Sequence, residues 1–119
     1  MAKRSLRKKK SAKARRTRNV YVIELDQKVL TRRKFREKNP NHNPEKACLY
    51  VGMTIRDPVE RLSQHKRGYK ACKYVKKFGL YLRRRLYQRF NPMTYEEAAR
   101  KERELAEDLR RRGFAVWQN

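Results

Sequence analysis

Glu102 lies on the apolar stripe of the last predicted helix, in line with Ala98, Leu105, Ala106 and Leu109. An ionised carboxylate in a low-dielectric core is strongly unfavourable unless it meets a cation, a hydrogen-bond network or a water-filled cleft. Its position on the stripe therefore makes Glu102 a candidate site residue. The alternative is a glutamate at the edge of the stripe that turns outward to solvent.

Arg61 and His65 lie four residues apart in an earlier predicted helix and therefore project from one face of it. Residues 57–60 begin that helix, because Asp57 can cap the free backbone amides, Pro58 fits the first helical position and a glutamate follows three residues after Asp57. The spacing places a permanent cation beside a titratable imidazole. The alternatives are a surface arginine that contacts phosphate and a histidine on a polar rim.

The charge balance narrows the class of partner. The chain has 119 residues, enough for one domain, and carries 35 Lys and Arg against 12 Asp and Glu, a formal net charge of +23. Such a balance indicates nucleic acid first and an anionic membrane surface second. No apolar stretch reaches the roughly 18 to 20 residues that span a bilayer, and the basic start is not followed by the apolar segment of a signal peptide. We expect a cytoplasmic protein without a membrane partner, associated with the nucleoid or the ribosome if it binds nucleic acid there.

The basic residues fall into two groups. Residues 1–18 contain no acid and almost no large apolar side chain, so they are predicted to be a disordered arm that orders on a phosphate backbone. A solubilising tail and a localisation signal are the alternatives. Between Glu60 and Glu96 there is again no acid, which predicts a phosphate-binding surface on the folded domain. The predicted nucleic-acid-binding residues are Arg15, Arg16 and Arg18 in the arm and Lys66, Arg67, Lys70, Lys73, Lys76, Lys77, Arg83, Arg84 and Arg85 in the domain.

The hydrophobic pattern predicts an α/β domain over residues 19–119. Strands are expected at 19–25, 47–54 and 80–87, and helices at 58–67, 70–77 and 95–112, with a terminal strand or packed tail at 114–117. Residues 31–46 are polar and rich in Asn and Pro, and are predicted to be an inserted loop. Cys48 and Cys72 fit small buried apolar residues in a reducing compartment; a metal site that joins them with His42 and His65 is the alternative.

The order of these elements resembles the GIY-YIG nuclease family. The resemblance covers residues 19–117, with Asn19-Val20-Tyr21 at the GIY position and Tyr50-Val51-Gly52 at the YIG position. Arg61 and His65 match the family's arginine and histidine, and Glu102 matches its glutamate. The chain departs from the pattern in the missing first glycine and in the long separation of the two tyrosines, which implies an insertion around residues 39–44. The fold implied is a small central antiparallel sheet of about three strands flanked by about three helices.

The resemblance implies a metal-dependent endonuclease. Tyr21 would be the general base for an attacking water and Tyr50 would orient it, while Arg61 would lower the pKa of the phenol and stabilise charge on the phosphoryl oxygens. His65 would share the proton transfer or hold a phosphate oxygen. Glu102 would hold one Mg²⁺ or Mn²⁺ ion.

Two other functions stay open at this point. The chain could be a non-catalytic nucleic-acid-binding protein that keeps the GIY-YIG fold, and its basic tail resembles tails that thread into ribosomal RNA. It could also be a basic scaffold or nucleoid protein without chemistry. Neither DNA nor RNA is favoured by charge alone, and the sequence contains no recognisable base-reading motif.

Overall fold

The centre of the domain is an antiparallel hairpin of two long strands. In the computed structural model, which describes residues 14–119, β1 (Asn19–Leu25) pairs with β2 (Cys48–Thr54). The register places Tyr21 opposite Gly52 and Tyr50 opposite Ile23. Directly opposed residues and alternate residues of a strand share one face of a sheet. The two tyrosines of the family resemblance therefore lie on the same face.

Two short strands complete a four-stranded mixed sheet in the order β3-β1-β2-β4. The strand β3 (Gly79–Leu82) is antiparallel to β1, and β4 (Ala115–Gln118) is parallel to β2. The predicted α/β class is confirmed. The sheet within residues 14–119 differs from the expected three antiparallel strands, because the chain returns after the last helix and adds β4 in the parallel sense.

Four α-helices flank this sheet in the described part of the chain, where about three were expected. The helix Pro58–Arg67 begins as predicted, since the Asp57 carboxylate accepts a hydrogen bond from the amide of Val59 at 2.8 Å. It ends at Gly68, whose φ of 88° lies in the left-handed region. The helices are α1 (Arg33–Glu37), α2 (Pro58–Arg67), α3 (Lys73–Phe78) and α4 (Tyr95–Arg111).

The last helix, α4, has the predicted capping box and the predicted apolar face. The Thr94 hydroxyl accepts a hydrogen bond from the Glu97 amide at 3.2 Å, and the Glu97 carboxylate accepts one from the Thr94 amide at 3.0 Å. Gly113, at a φ of 98°, reverses the chain into β4. The buried side of the helix consists of Ala98, Glu102, Leu105, Ala106 and Leu109.

The prediction of a third strand over residues 80–87 is wrong beyond Leu82. The chain instead forms two 3-10 turns, Arg84–Leu86 and Gln88–Phe90. The turns bring the Asn91 side chain to β1, where it bonds both the amide and the carbonyl of Val20 at 2.8 Å. Alternating residues in the sequence carry no information about that distant partner.

The predicted loop at residues 31–46 also contains regular structure. A 3-10 turn, Gln27–Thr31, leads into α1, so the prediction of an unstructured insertion is wrong there. The reason is Phe35, which is fully buried and packs edge-on against Tyr74 at 5.6 Å and stacks on Trp117 at 6.2 Å. One buried aromatic anchors an otherwise polar segment.

Of the predicted basic arm, residues 1–13 lie outside the part that the structure describes. Arg18 exchanges two backbone hydrogen bonds with Met93, both at 2.8 Å. The Arg16 guanidinium pairs with the Glu97 carboxylate at 3.0 Å. Between residues 14 and 119, none of the helices has the length and apolar character needed to cross a lipid bilayer.

Candidate active site

A buried hydrogen bond joins Tyr21 and His65, two of the predicted site residues. The Tyr21 hydroxyl lies 2.9 Å from His65 Nε2, while His65 Nδ1 accepts a hydrogen bond from the backbone amide of Cys72 at 3.1 Å. A nitrogen that accepts a hydrogen bond carries no proton. The neutral ring therefore carries its proton on Nε2 and donates it to the phenol oxygen of Tyr21.

The environment of His65 keeps the imidazole neutral. Burial, and secondly the positive charge of Arg61, lower the pKa of His65 to about 4. The ring is completely buried, which excludes the alternative of a histidine on a polar rim. At neutral pH the side chain is a fixed N–H donor that holds the Tyr21 oxygen.

The two phenols differ in acidity. Burial raises the pKa of Tyr21 to about 12, against the opposing effects of the Arg61 charge and of a hydrogen bond from Tyr50. Burial and then the neighbouring Tyr21 raise the pKa of Tyr50 further still. Tyr21 is therefore the more acidic phenol of the pair and the one that forms a phenolate more readily. The expected lowering of its pKa does not occur, because desolvation outweighs the field of Arg61.

Arg61 is held in place by the loop that follows α2. Its guanidinium donates to the side chain of Gln64 at 3.1 Å and to the backbone carbonyls of Tyr69 at 3.2 Å and Lys70 at 2.8 Å. Lys70 adopts a φ of 43°, which is uncommon for a residue with a side chain. These bonds fix the cation where its charge acts on both Tyr21 and His65.

Glu102 is the most unusual group of the site. It is only 7% exposed, so the outward-turned alternative is wrong. Among the described residues, its Oε2 is the one buried side-chain nitrogen or oxygen atom without a hydrogen-bond partner. Burial raises the pKa of this carboxyl to about 7, with Arg103 opposing, and the Glu102 charge in turn raises the pKa of Tyr21 and of Tyr50. The carboxylate thus lies within electrostatic range of both phenols.

The donor set at Glu102 fits a hard divalent cation. An unpartnered carboxylate oxygen is a ligand that Mg²⁺ and Mn²⁺ prefer. Over residues 14–119 no three His, Cys, Asp or Glu side chains are grouped closely enough to hold an ion, and the alternative site built from both cysteines and both histidines does not form there. Glu102 would therefore be the single side-chain carboxylate, with water and a substrate phosphate as further ligands.

Gly52 gives the Tyr21 ring its space. A Cβ at residue 52 would lie 2.7 Å from the Tyr21 hydroxyl oxygen and 2.8 Å from the adjacent ring carbon. Gly52→Ala is therefore expected to displace the phenol and to lower the free energy of unfolding by about 1–3 kcal/mol. Urea unfolding of the two single variants and the double variant with Tyr21→Ala measures the effect. Equal costs of Gly52→Ala in both backgrounds would contradict this account.

The predicted phosphate-binding residues are mostly exposed, but several already have partners. Arg83 pairs with Glu24 at 2.7 Å, and Lys66 donates to the carbonyl of Gly79 at 2.8 Å. Lys70, Lys73 and Lys77 lie over aromatic rings, as does Arg18. Arg16 pairs with Glu97, as described above. The remaining predicted cations are exposed, and they are Arg15, Arg67, Lys76, Arg84 and Arg85.

Sequence reasoning missed several residues that support the site. The Cys72 amide fixes the tautomer of His65, and a backbone amide leaves no signal in a sequence. Asn91 bonds Val20 next to Tyr21; its place before a proline indicates a turn and gives no hint of the contact. Asn39 is buried and accepts a hydrogen bond from the Val116 amide at 2.7 Å, which holds β4 to the insertion.

No protein-family model matches the chain, and neither does any curated protein or any solved structure. Function is therefore inferred from the residues and their geometry.

Proposed function

We propose that this protein is a metal-dependent endonuclease of the GIY-YIG type that hydrolyses phosphodiester bonds in nucleic acid. The observation that carries the proposal is the buried, unpartnered carboxylate of Glu102 within electrostatic range of two paired phenols. Burying such a group without a hydrogen bond is costly, and the cost is accounted for if the group binds a cation.

Each side chain of the site has a role in the proposed hydrolysis. Tyr21 acts as the base in its ionised form: its own proton first passes to solvent, and the phenolate oxygen, oriented by the N–H of His65, then accepts the proton of the attacking water. Tyr50 lies beside Tyr21, with the ring centres 6.1 Å apart, and its hydroxyl lowers the pKa of Tyr21, which favours the phenolate. Arg61 stabilises negative charge on the phosphoryl oxygens. When bound at Glu102, Mg²⁺ or Mn²⁺ would neutralise charge on the phosphate and on the departing 3′ oxygen.

The net charge of +23 supports a nucleic-acid substrate. A cytoplasmic location, with the nucleoid or the ribosome as the site of action, belongs to the same proposal. DNA and RNA are both retained as substrates.

The test is cleavage by purified protein. Single-stranded DNA, duplex DNA and structured RNA are each incubated with Mg²⁺, Mn²⁺ or EDTA. We expect metal-dependent cleavage of at least one substrate, and at least a ~100-fold slower rate for Tyr21→Phe, which loses the base. Tyr95→Phe, which changes an exposed tyrosine, is the matched control and should cleave like the wild type. Cleavage that persists in Tyr21→Phe would identify a contaminant or a different base.

A non-catalytic nucleic-acid or ribosomal-RNA-binding function is the second candidate. It is favoured by the burial of Tyr21 and Tyr50, which are 1% and 2% exposed and therefore offer little surface to a substrate. Tight binding with no cleavage of any substrate, under any metal condition, would establish this function and end the endonuclease proposal.

A further inference from the structure

A cavity of about 400 Å³ lies between the start of α1 and the helix α3. Its size is within the roughly 300–1,000 Å³ range of ligand clefts in proteins. We call it the insertion pocket, because one of its walls belongs to the insertion between β1 and β2. Its lining consists of Thr31, Arg32, Arg33, Lys34, Lys73, Tyr74, Lys77 and Phe78.

The insertion pocket has five cations and no acid in its lining. Arg33 is the one cation with a carboxylate nearby, at 3.8 Å from Glu37, and both of those side chains are more than 60% exposed. An ion pair between two exposed side chains contributes little to the stability of the fold. Within residues 14–119 no ion pair is formed by the other four cations, Arg32, Lys34, Lys73 and Lys77. Their mutual repulsion would be relieved by a bound polyanion.

Three of the five cations lie over buried aromatic rings at the pocket. The Arg32 guanidinium lies 5.4 Å from the centre of the Phe78 ring, and the Lys77 ammonium lies 5.8 Å from the same ring. The Lys73 ammonium lies 5.3 Å from the Tyr74 ring. Cation–π contacts at these distances restrict the side chains without neutralising their charge. The pocket is therefore a preorganised positive surface.

The insertion pocket is joined to the elements of the candidate active site at both ends of α3. Cys72, whose amide bonds His65, directly precedes α3, and α3 supplies half of the pocket lining. The carbonyl of Phe78, at the other end of α3, accepts a hydrogen bond from the amide of Asp26, which directly follows β1. A ligand bound at the pocket would thus contact elements that also position the candidate active site.

We propose that the insertion pocket binds backbone phosphates of a nucleic-acid strand, as a second contact beside the candidate active site. The inference rests on the nucleic-acid partner of the proposed function and does not depend on cleavage. Phosphodiesters are favoured over an acidic peptide because the proposed function already gives the domain a nucleic-acid partner, and the two guanidiniums can each bind a phosphate through two parallel hydrogen bonds.

The test compares two double variants of equal charge. Lys34→Gln with Lys77→Gln removes one cation from each wall, and Lys28→Gln with Lys38→Gln removes two exposed lysines that lie outside the lining. Binding of the full chain to a single-stranded oligonucleotide is measured by calorimetry at several salt concentrations, and circular dichroism checks the fold. We expect the pocket variant to lower the magnitude of the slope of log K against log salt by about 1.4, which is ~0.7 per lost phosphate contact. The control variant should keep the wild-type slope.

Equal slopes for the two variants would overturn the pocket assignment. Polyglutamate is the competitor in a second measurement. If it binds wild type as tightly as the oligonucleotide does, and the pocket variant weakens the binding of both to the same extent, the assignment is overturned in favour of an acidic protein partner. A reduced slope in a protein that never cleaves supports the pocket and ends only the endonuclease proposal. Cleavage by the pocket variant at saturating oligonucleotide, at the wild-type rate, supports the pocket as a binding element.

Discussion

Glu102→Gln is expected to abolish metal-dependent cleavage and at the same time to stabilise the fold at pH 8. The carboxylate is the proposed metal ligand. If several kcal/mol of transition-state stabilisation by the metal is lost, the cleavage rate falls at least about 1,000-fold. In the metal-free protein this carboxyl has its pKa raised by burial to about 7. It is ionised and unpartnered at pH 8, so a neutral amide of the same size removes a penalty of up to about 3 kcal/mol.

Glu104→Gln is the matched control on the same helix. Glu104 is exposed and forms only surface pairs at 3.6 and 3.9 Å with Lys101 and Arg100, so its loss should change stability by less than about 1 kcal/mol. Cleavage rates at saturating Mg²⁺ and urea unfolding in EDTA give the two readouts. A Glu102→Gln protein that cleaves normally would remove Glu102 from the site, and one that is less stable at pH 8 would show that the carboxylate has a structural partner.

The stability of the metal-free protein should depend on pH through two opposing groups. The folded-state pKa of Glu102 is raised from 4.5 to about 7, so its stabilising contribution is full below 4.5 and is lost as pH rises through 7. The folded-state pKa of His65 is lowered from 6.5 to about 4, so its contribution is full above 6.5 and is lost as pH falls through 4. Each change amounts to about 3 kcal/mol. In the wild type the two contributions nearly cancel between pH 4.5 and 6.5.

Single variants should expose each contribution. Relative to wild type, the free energy of unfolding of Glu102→Gln is expected to fall by about 3 kcal/mol as pH falls from 6.5 to 4. The variant keeps the titration of His65 and lacks the opposing titration of Glu102. His65→Gln is expected to lose a similar amount as pH rises from 4.5 to 7. Other carboxyl groups contribute equally to all three proteins, so differences between their unfolding free energies isolate the two groups. Parallel curves for the three proteins would mean that neither residue titrates as its burial implies.

Local signals in the sequence were sufficient to predict much of the fold and of the candidate active site. The β1–β2 hairpin follows from two β-rich segments, and the starts of α2 and α4 follow from the Asp57 cap and from the Thr94 capping box. The burial of Glu102 follows from its place on a helical stripe. Each strand, each helix start and the apolar stripe depends on residues close in sequence, which is why a pattern of three to seven residues predicts it.

The features that were missed depend on distant partners. The turn after Leu82 and the helix in the insertion are set by Asn91 and Phe35, whose contacts lie more than 30 residues away along the chain. The raised pKa of Tyr21 was missed for the same reason, since the sequence shows the nearby arginine and hides the degree of burial. Depth in the core is a property of the whole fold, and no local window contains it.

The aromatic cluster at the edge of the sheet includes a built-in optical reporter. Trp117 is the only tryptophan of the chain, and its ring meets Tyr74 edge-on at 4.9 Å and stacks on Phe35. Tyr74 forms part of the insertion pocket, and Phe35 anchors α1. Intrinsic fluorescence excited at the indole band therefore follows this one corner of the molecule without any attached dye.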